Sequence, residues 1–178
     1  MLKITIPENE MWDEANNKFV SIKETTLSLE HSLVSISKWE SKYKKSFISS
    51  KDKTPEELLD YIKFMTLTQN VPDTAYAFLT RDNIEEINNY IGDPMTATTI
   101  SDNGKRSREI ITSELIYYWM FANQIPKECE KWHINRLMTL IGVFGAKNAP
   151  DKKMTKAQTA KRYAALNAQR RAKLHSKG

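Results

Sequence analysis

The sequence has too few cysteines, glycines and clustered metal-binding residues for several common kinds of functional site. Its 178 residues include one cysteine, Cys129, which excludes an internal disulfide and favours a reducing compartment. The five glycines form no phosphate-binding loop. Cys129 and His133 are four residues apart, as two zinc ligands can be, but no second cysteine accompanies them, and His31 and His175 are distant in sequence. We therefore expect no metal, no cofactor and no enzymatic activity, because no nucleophile, base or metal set converges.

Long apolar segments are also missing. The longest uninterrupted apolar run, residues 115–122, has eight residues and includes two tyrosines and a tryptophan, whereas a membrane-spanning helix needs about 20. The first seven residues are too short for the apolar part of a signal peptide, and they lead into an acidic segment. We therefore predict a protein that is not embedded in a membrane, with residues 115–122 as the central buried helix of its core.

Charge is distributed unevenly along the chain. Residues 147–178 contain ten of the 27 Lys and Arg residues and one of the 22 Asp and Glu residues, a local net charge of +9. The preceding residues therefore contain 17 bases and 21 acids, a net charge of −4, although the whole chain has +5. We predict an acidic body, residues 1–148, and a basic tail, residues 149–178. Such a tail favours an acidic partner, which is nucleic acid or an acidic protein surface, or is only solvated.

The spacing of apolar residues changes from strand-like to helical near residue 30. Alternation in residues 2–6 and again in 19–29 predicts a small antiparallel β meander of two or three strands, with residues 8–17 as turn. A spacing of three or four residues then predicts a helix with one buried face, formed by Leu33, Ile36, Trp39 or Glu40, Tyr43 and Phe47. Trp39 and Tyr43 are neighbours on this helix, so they are either core residues or an aromatic anchor for a partner. The core is the more common place for such a stripe.

Capping signals predict the helices that follow. Thr54, Pro55 and Glu57 form a capping-box start, Pro72 opens a short helix, and Thr80 is the N-cap of another. The predicted buried faces of the first and last of these helices are formed by Leu58, Leu59, Ile62 and Met65, and by Ile84, Ile87 and Ile91.

Two further helices complete the predicted body, and one forms the tail. Ser113 caps the apolar helix, and Pro126 starts a last core helix that contains Cys129 and His133 and ends near Gly145. Residues 156–173 are good helix formers, and we expect this helix to project from the body. The predicted fold is α+β, mainly α: a small N-terminal antiparallel β meander, a bundle of about five to six helices and a projecting basic C-terminal helix.

Residues 95–111 allow two interpretations. Asn103 and Gly104 between Thr-rich and Ile-rich arms favour a β-hairpin over about 96–111, since this pair tolerates positive φ angles. The alternative is a mobile basic loop, in which Lys105, Arg106 and Arg108 would form a contact site.

The basic tail offers a second candidate contact surface. Its cations can bind phosphates, and Tyr163 can stack on bases, but no nucleic-acid reading motif is present. Caps and a weak apolar stripe favour a protein partner slightly, because phosphate binding alone requires neither. The candidate partner-binding residues here are Lys161, Arg162, Tyr163, Arg170 and Arg171.

Four segments resemble a family found among the tail genes of long-tailed bacteriophages, the tail assembly chaperones. They are LEHSLVSISKWESKYKKSF, DPMTATTI, SREIITSELIYYWM and IPKECEKWHINRLMTLI, which lie within residues 29–47 and 93–141. The resemblance implies a non-enzymatic, mainly helical protein of the infected cell's cytoplasm, which coats the tape measure protein and recruits tail tube subunits. It carries over no binding residues. The alternatives are a nucleic-acid-binding accessory protein and a structural component of the virion.

Overall fold

The computed structural model describes residues 1–13, 17–99, 109–148 and 156–174. Within these residues the chain forms four strands, six α-helices and two 3-10 helices, which confirms the predicted α+β, mainly α fold class. The chain divides into two compact units, Met1–Gly145 and Ala146–Gly178.

The four strands form two antiparallel pairs that share one register. Strand β1 (Leu2–Ile6) pairs with β4 (Thr25–Leu29), and β2 (Asn9–Asp13) pairs with β3 (Lys18–Ile22). In both pairs, the numbers of two facing residues add to 31, as for Leu2 and Leu29 or Asn9 and Ile22. The β2–β3 pair therefore continues the register of the β1–β4 pair, as the inner part of one long hairpin. The ladder is interrupted at Pro7, which has no N–H to donate.

The turn predicted for residues 8–17 is wrong over residues 9–13, which form β2. Trp12 lies directly opposite Phe19, and their rings meet edge to face at 4.8 Å between centroids. Cross-strand aromatic pairs of this kind stabilise antiparallel strands, and the polar neighbours of Trp12 hide the strand from a search for apolar alternation. The outer pair supplies the core residues Ile4, Ile6, Leu27 and Leu29.

Helix α1 (Leu33–Tyr43) follows the sheet and places one face in the core. Ser32 is its N-cap, and Leu33, Ile36 and Trp39 are fully buried. The helix is shorter than predicted, because Lys44 adopts a left-handed conformation with φ 56° and ends it. Phe47 is still buried, but it enters the core from the following loop.

The next three predicted helix starts, at Thr54, Pro72 and Thr80, are confirmed. Helix α2 (Pro55–Met65) begins with a capping box between Thr54 and Glu57, and α3 (Arg81–Gly92) begins at its N-cap, Thr80. Between them lies the 3-10 helix Asp73–Phe78, which is preceded by Pro72.

The apolar helix is not the central buried helix that the sequence predicted. Helix α4 (Ser113–Ala122) is capped by Thr112 rather than Ser113, and it buries Ser113, Ile116 and Met120. Tyr118 and Phe121 are 65% and 63% exposed on its other side. A short helix that packs against the body through one face leaves its opposite face in solvent, whatever residues that face contains.

The last predicted core helix is two elements. A 3-10 helix, Lys127–Lys131, contains the buried Cys129, and α5 (Ile134–Asn148) begins after an extended Trp132. The backbone of Trp132, with φ −72° and ψ 161°, breaks the helix that Pro126 was predicted to start.

In the second unit, α6 (Lys156–Leu174) agrees with the predicted helix over 156–173, and none of its side chains is buried. The possible hairpin near 96–111 is described only in its arms. Residues 95–99 and 109–112 contain no strand, and the predicted turn lies outside the described residues.

Candidate functional site

An apolar cleft of about 620 Å³ lies among α2, α3, α5 and the segment that connects α1 to α2. This volume is in the range of about 300–1,000 Å³ in which proteins hold ligands. Most of its lining is aliphatic or aromatic: Phe47, Ile48, Pro55, Leu58, Leu59, Tyr61, Ile62, Ile84, Ile87, Ile91, Ile134 and Met138. The polar lining residues are His31, Lys53, Asn88 and Asn135.

Three large aliphatic side chains in this cleft face solvent. Ile48, Leu58 and Ile84 are 40%, 45% and 36% exposed, and each comes from a different element of the fold. The sequence predicted Leu58 and Ile84 to be buried, which is wrong. Both lie near the N-terminal end of their helix, where the apolar stripe extends beyond the core that buries Ile62 and Ile87. Exposed aliphatics gathered around a concave surface indicate a binding site.

Two helices each supply about two turns to the lining of the cleft. Helix α2 lines it from Pro55 to Ile62, and α3 lines it from Ile84 to Ile91. Each stretch advances seven residues, which corresponds to about 10 Å along a helix axis, or two turns.

Aromatic residues and a neutral histidine form the buried end of the cleft lining. Phe47 stacks on Tyr61 with ring centroids 3.9 Å apart, and the Tyr61 hydroxyl is hydrogen-bonded to Nδ1 of His31. Burial, followed by the neighbouring His133, lowers the pKa of His31 to about 3. Burial also raises the pKa of the Tyr61 hydroxyl. Near neutral pH both side chains are therefore uncharged, and this end of the cleft is suited to apolar groups.

His133 lies behind His31 and connects α5 to the end of α3. Its Nε2–H donates to the Tyr90 carbonyl at 3.0 Å, and its Nδ1 accepts from the backbone N–H of Asn135 at 3.3 Å. This pair of bonds defines a neutral ring with its proton on Nε2. Burial lowers the pKa of His133 as well. The His31 and His133 rings lie 5.0 Å apart at their centroids.

Two polar residues of the cleft lining, Asn135 and Lys53, contact other parts of the fold, Asn135 through hydrogen bonds and Lys53 through an aromatic ring. The Asn135 amide donates to the carbonyls of Ile91 and Asp93, at 3.0 and 2.8 Å, and so connects α5 to the end of α3. Lys53 lies with its ammonium 4.7 Å from the centroid of Phe47. Lys53 is the one residue with a permanent charge among the described residues that line the cleft.

The structure places the predicted aromatic pair away from the cleft. Trp39 is fully buried, and its indole N–H donates to the Glu57 carbonyl at 2.8 Å, so it is a core residue. Tyr43 is half-buried against the Trp39 ring, and its hydroxyl donates to the Asp60 carboxylate. Trp39 thus has no exposed surface to offer a partner, and Tyr43 has little.

None of the predicted basic residues is among the described residues that line the cleft. Lys105, Arg106 and Arg108 lie outside the described residues. The candidate tail residues all lie exposed on α6: Lys161, Arg162, Tyr163, Arg170 and Arg171.

The spacing of Cys129 and His133 in the sequence does not place them on one shared helix face. Cys129 and His133 belong to different elements, both are buried, and His133 uses both ring nitrogens in hydrogen bonds. Within the described ranges, no group of three His, Cys, Asp or Glu residues is placed to hold a metal ion. None of the helices that the structure describes is long and apolar enough to cross a membrane.

No family model matches the chain, and no curated protein or solved structure matches it either.

The cleft itself was missed by sequence reasoning, because an apolar residue at helical spacing gives the same signal in a core and in an open cleft.

Proposed function

We propose that this protein is a non-enzymatic tail assembly chaperone of a long-tailed bacteriophage. It binds an apolar helical segment of the tape measure protein in the cleft of α2, α3 and α5, and it recruits tail tube subunits in the host cell cytoplasm. The observation that carries the proposal is the open apolar cleft with Ile48, Leu58 and Ile84 exposed.

A helix is the partner structure that such a cleft fits best. Apolar grooves between helices recognise amphipathic helices through residues spaced three or four apart, and the two turns that α2 and α3 each supply to the lining suit two or three such residues. An extended peptide would instead need free backbone groups of a strand edge. The described cleft lining comes from helices and two connecting segments, before and after α1.

The family resemblance supports the choice of partner. The segments that resemble tail assembly chaperones contain five residues of the cleft lining: His31, Phe47, Ile134, Asn135 and Met138. The resemblance therefore extends to part of the surface at which we propose that the partner binds.

Co-purification with the tail proteins encoded beside this protein tests the proposal. We expect the wild-type chain to retain the tape measure protein, and the double variant Leu58→Glu, Ile84→Glu to lose it. The control is Leu67→Glu, Ile110→Glu, which adds the same charges at aliphatics that are 57% and 66% exposed outside the cleft lining. Equal retention by both variants, with both folded by circular dichroism, would contradict the proposal.

Nucleic-acid binding through α6 is the second candidate. This helix contains six Lys and Arg residues and no acid in 19 residues, so its charge favours phosphate contacts. Changing Lys161, Arg162, Arg170 and Arg171 together to Gln tests it against duplex DNA at rising salt. If the wild type binds DNA tightly at physiological salt and the variant does not, nucleic-acid binding would become the first candidate. If DNA binding by the wild type is already lost when the salt reaches the physiological concentration, the result would favour the chaperone proposal.

A further inference from the structure

The charge at the cleft has one sign. Lys53 lines the cleft, whereas no Asp or Glu is among the described residues of its lining. An apolar cleft with a single cation at its wall is complementary to an apolar surface that carries an anion.

The positive charge of Lys53 is not matched by a carboxylate within the described fold. Its ammonium donates to the Ser50 carbonyl and lies over the ring of Phe47. Among the described residues, no acidic side chain forms an ion pair with it. The carbonyl and the aromatic ring orient the ammonium without neutralising it.

The nearest acid is already occupied. The Glu57 carboxylate forms an ion pair with Lys45 at 2.7 Å and also accepts the backbone N–H of Thr54 at 2.9 Å in the capping box. Burial, followed by the positive charge of Lys45, lowers the pKa of Lys53, and Glu57 only partly opposes this. Glu57 is thus shared between Lys45 and its own helix start, and an anion on a bound segment would add a favourable charge interaction at Lys53.

We propose that the segment bound in the cleft is an amphipathic helix that places an Asp or Glu carboxylate against the ammonium of Lys53. This inference rests on the proposed function, since it assumes that the cleft binds a helix. It adds a rule of recognition: an apolar stripe of about two turns, flanked by an acid, is preferred over the same stripe flanked by a base. The apolar contacts supply affinity, and Lys53 selects the partner and its direction in the cleft.

Two labelled synthetic peptides test this rule. Both are about 15 residues long, so that they can form a helix, and share one stripe of leucines, but one has Glu and the other has Lys beside the stripe. We expect the full-length protein to bind the Glu peptide about two- to fivefold more tightly, the range typical of one partly exposed ion pair. In Lys53→Glu this preference should reverse. The matched control is Lys51→Glu, which has the same net charge but alters an exposed lysine outside the lining.

Other binding results would contradict this recognition rule, and some of them would also contradict the proposed function. Equal binding of the two peptides to the wild-type chain, or the same change in Lys51→Glu as in Lys53→Glu, would overturn the inference and leave the proposed function standing. Binding that survives in Leu58→Glu, Ile84→Glu would mean that the peptides bind elsewhere, which contradicts the proposed function as well. Binding of laurate with no binding of either peptide would identify a small amphiphile as the occupant and overturn both.

Discussion

His31 is a core residue whose neutral form the fold requires. It is 4% exposed, it contacts the rings of Phe47, Tyr61 and His133, and its pKa is lowered to about 3, mainly by burial. An unfolded histidine titrates near 6.5. Below that pH the unfolded chain binds a proton that the folded chain does not bind, so the free energy of unfolding falls as the pH falls.

We therefore predict that the protein loses stability between pH 7 and pH 5 through this residue. Because the unfolded chain binds a proton at His31 that the folded chain does not, the free energy of unfolding should fall by about 2 kcal/mol over this interval. His133, whose pKa is also lowered, acts in the same direction. Urea unfolding of wild type and His31→Gln at both pH values measures it. Between pH 7 and pH 5, the free energy of unfolding of the variant should fall by about 2 kcal/mol less than that of the wild type. Equal losses in the two proteins would show that His31 is not held neutral by the fold.

Glu40 shows what residue-scale reasoning from sequence cannot supply. It is a buried acid on α1, and its two carboxylate oxygens accept the backbone N–H groups of Phe47 and Ser113, each at 2.7 Å. These bonds join the end of α1 to the start of α4, 73 residues away. In the sequence, Glu40 stands beside Trp39 as one more helical residue, because the partners of a buried carboxylate depend on the tertiary fold.

At the scale of elements, two helix starts were predictable and the burial of α4 was not. The capping box at Thr54 and the N-cap at Thr80 are local signals, and the structure confirms both. The burial of α4 depends on how many neighbours pack around it, and its eight-residue apolar run carries no information about that number. The same ambiguity hid the cleft, where Leu58 and Ile84 continue buried stripes into solvent.

Helix α4 gives a direct test of its one-sided packing. Met120 is fully buried, whereas Tyr118, two residues earlier, is 65% exposed. We expect Met120→Ala to lower the free energy of unfolding by about 2–5 kcal/mol, and Tyr118→Ala to change it by about 0.5 kcal/mol or less. Thermal or urea unfolding measures both. Similar losses in the two variants would mean that both faces of α4 are packed.

At the scale of the molecule, the sequence predicted the fold class and the uneven charge but not the site. The periodicity of apolar residues predicts helices and strands, and the composition predicts the basic segment that contains α6, because both are properties of the sequence itself. The cleft is formed by α2, α3 and α5 together with His31 and the loop after α1, which are far apart in sequence. No local pattern records that these surfaces meet, and the hairpin pairing of β1 with β4 is hidden for the same reason.

Site-specific photocrosslinking from the cleft tests the central claim most directly. A benzoylphenylalanine placed at Ile84, which is exposed in the cleft, is irradiated while the full-length protein is expressed with its neighbouring tail proteins. A second one at Ile110, which is exposed outside the cleft lining, serves as the control. Our account predicts a covalent adduct to the tape measure protein from position 84 and none from position 110. An adduct from position 110 alone, or from neither position while the two proteins still co-purify, would contradict it.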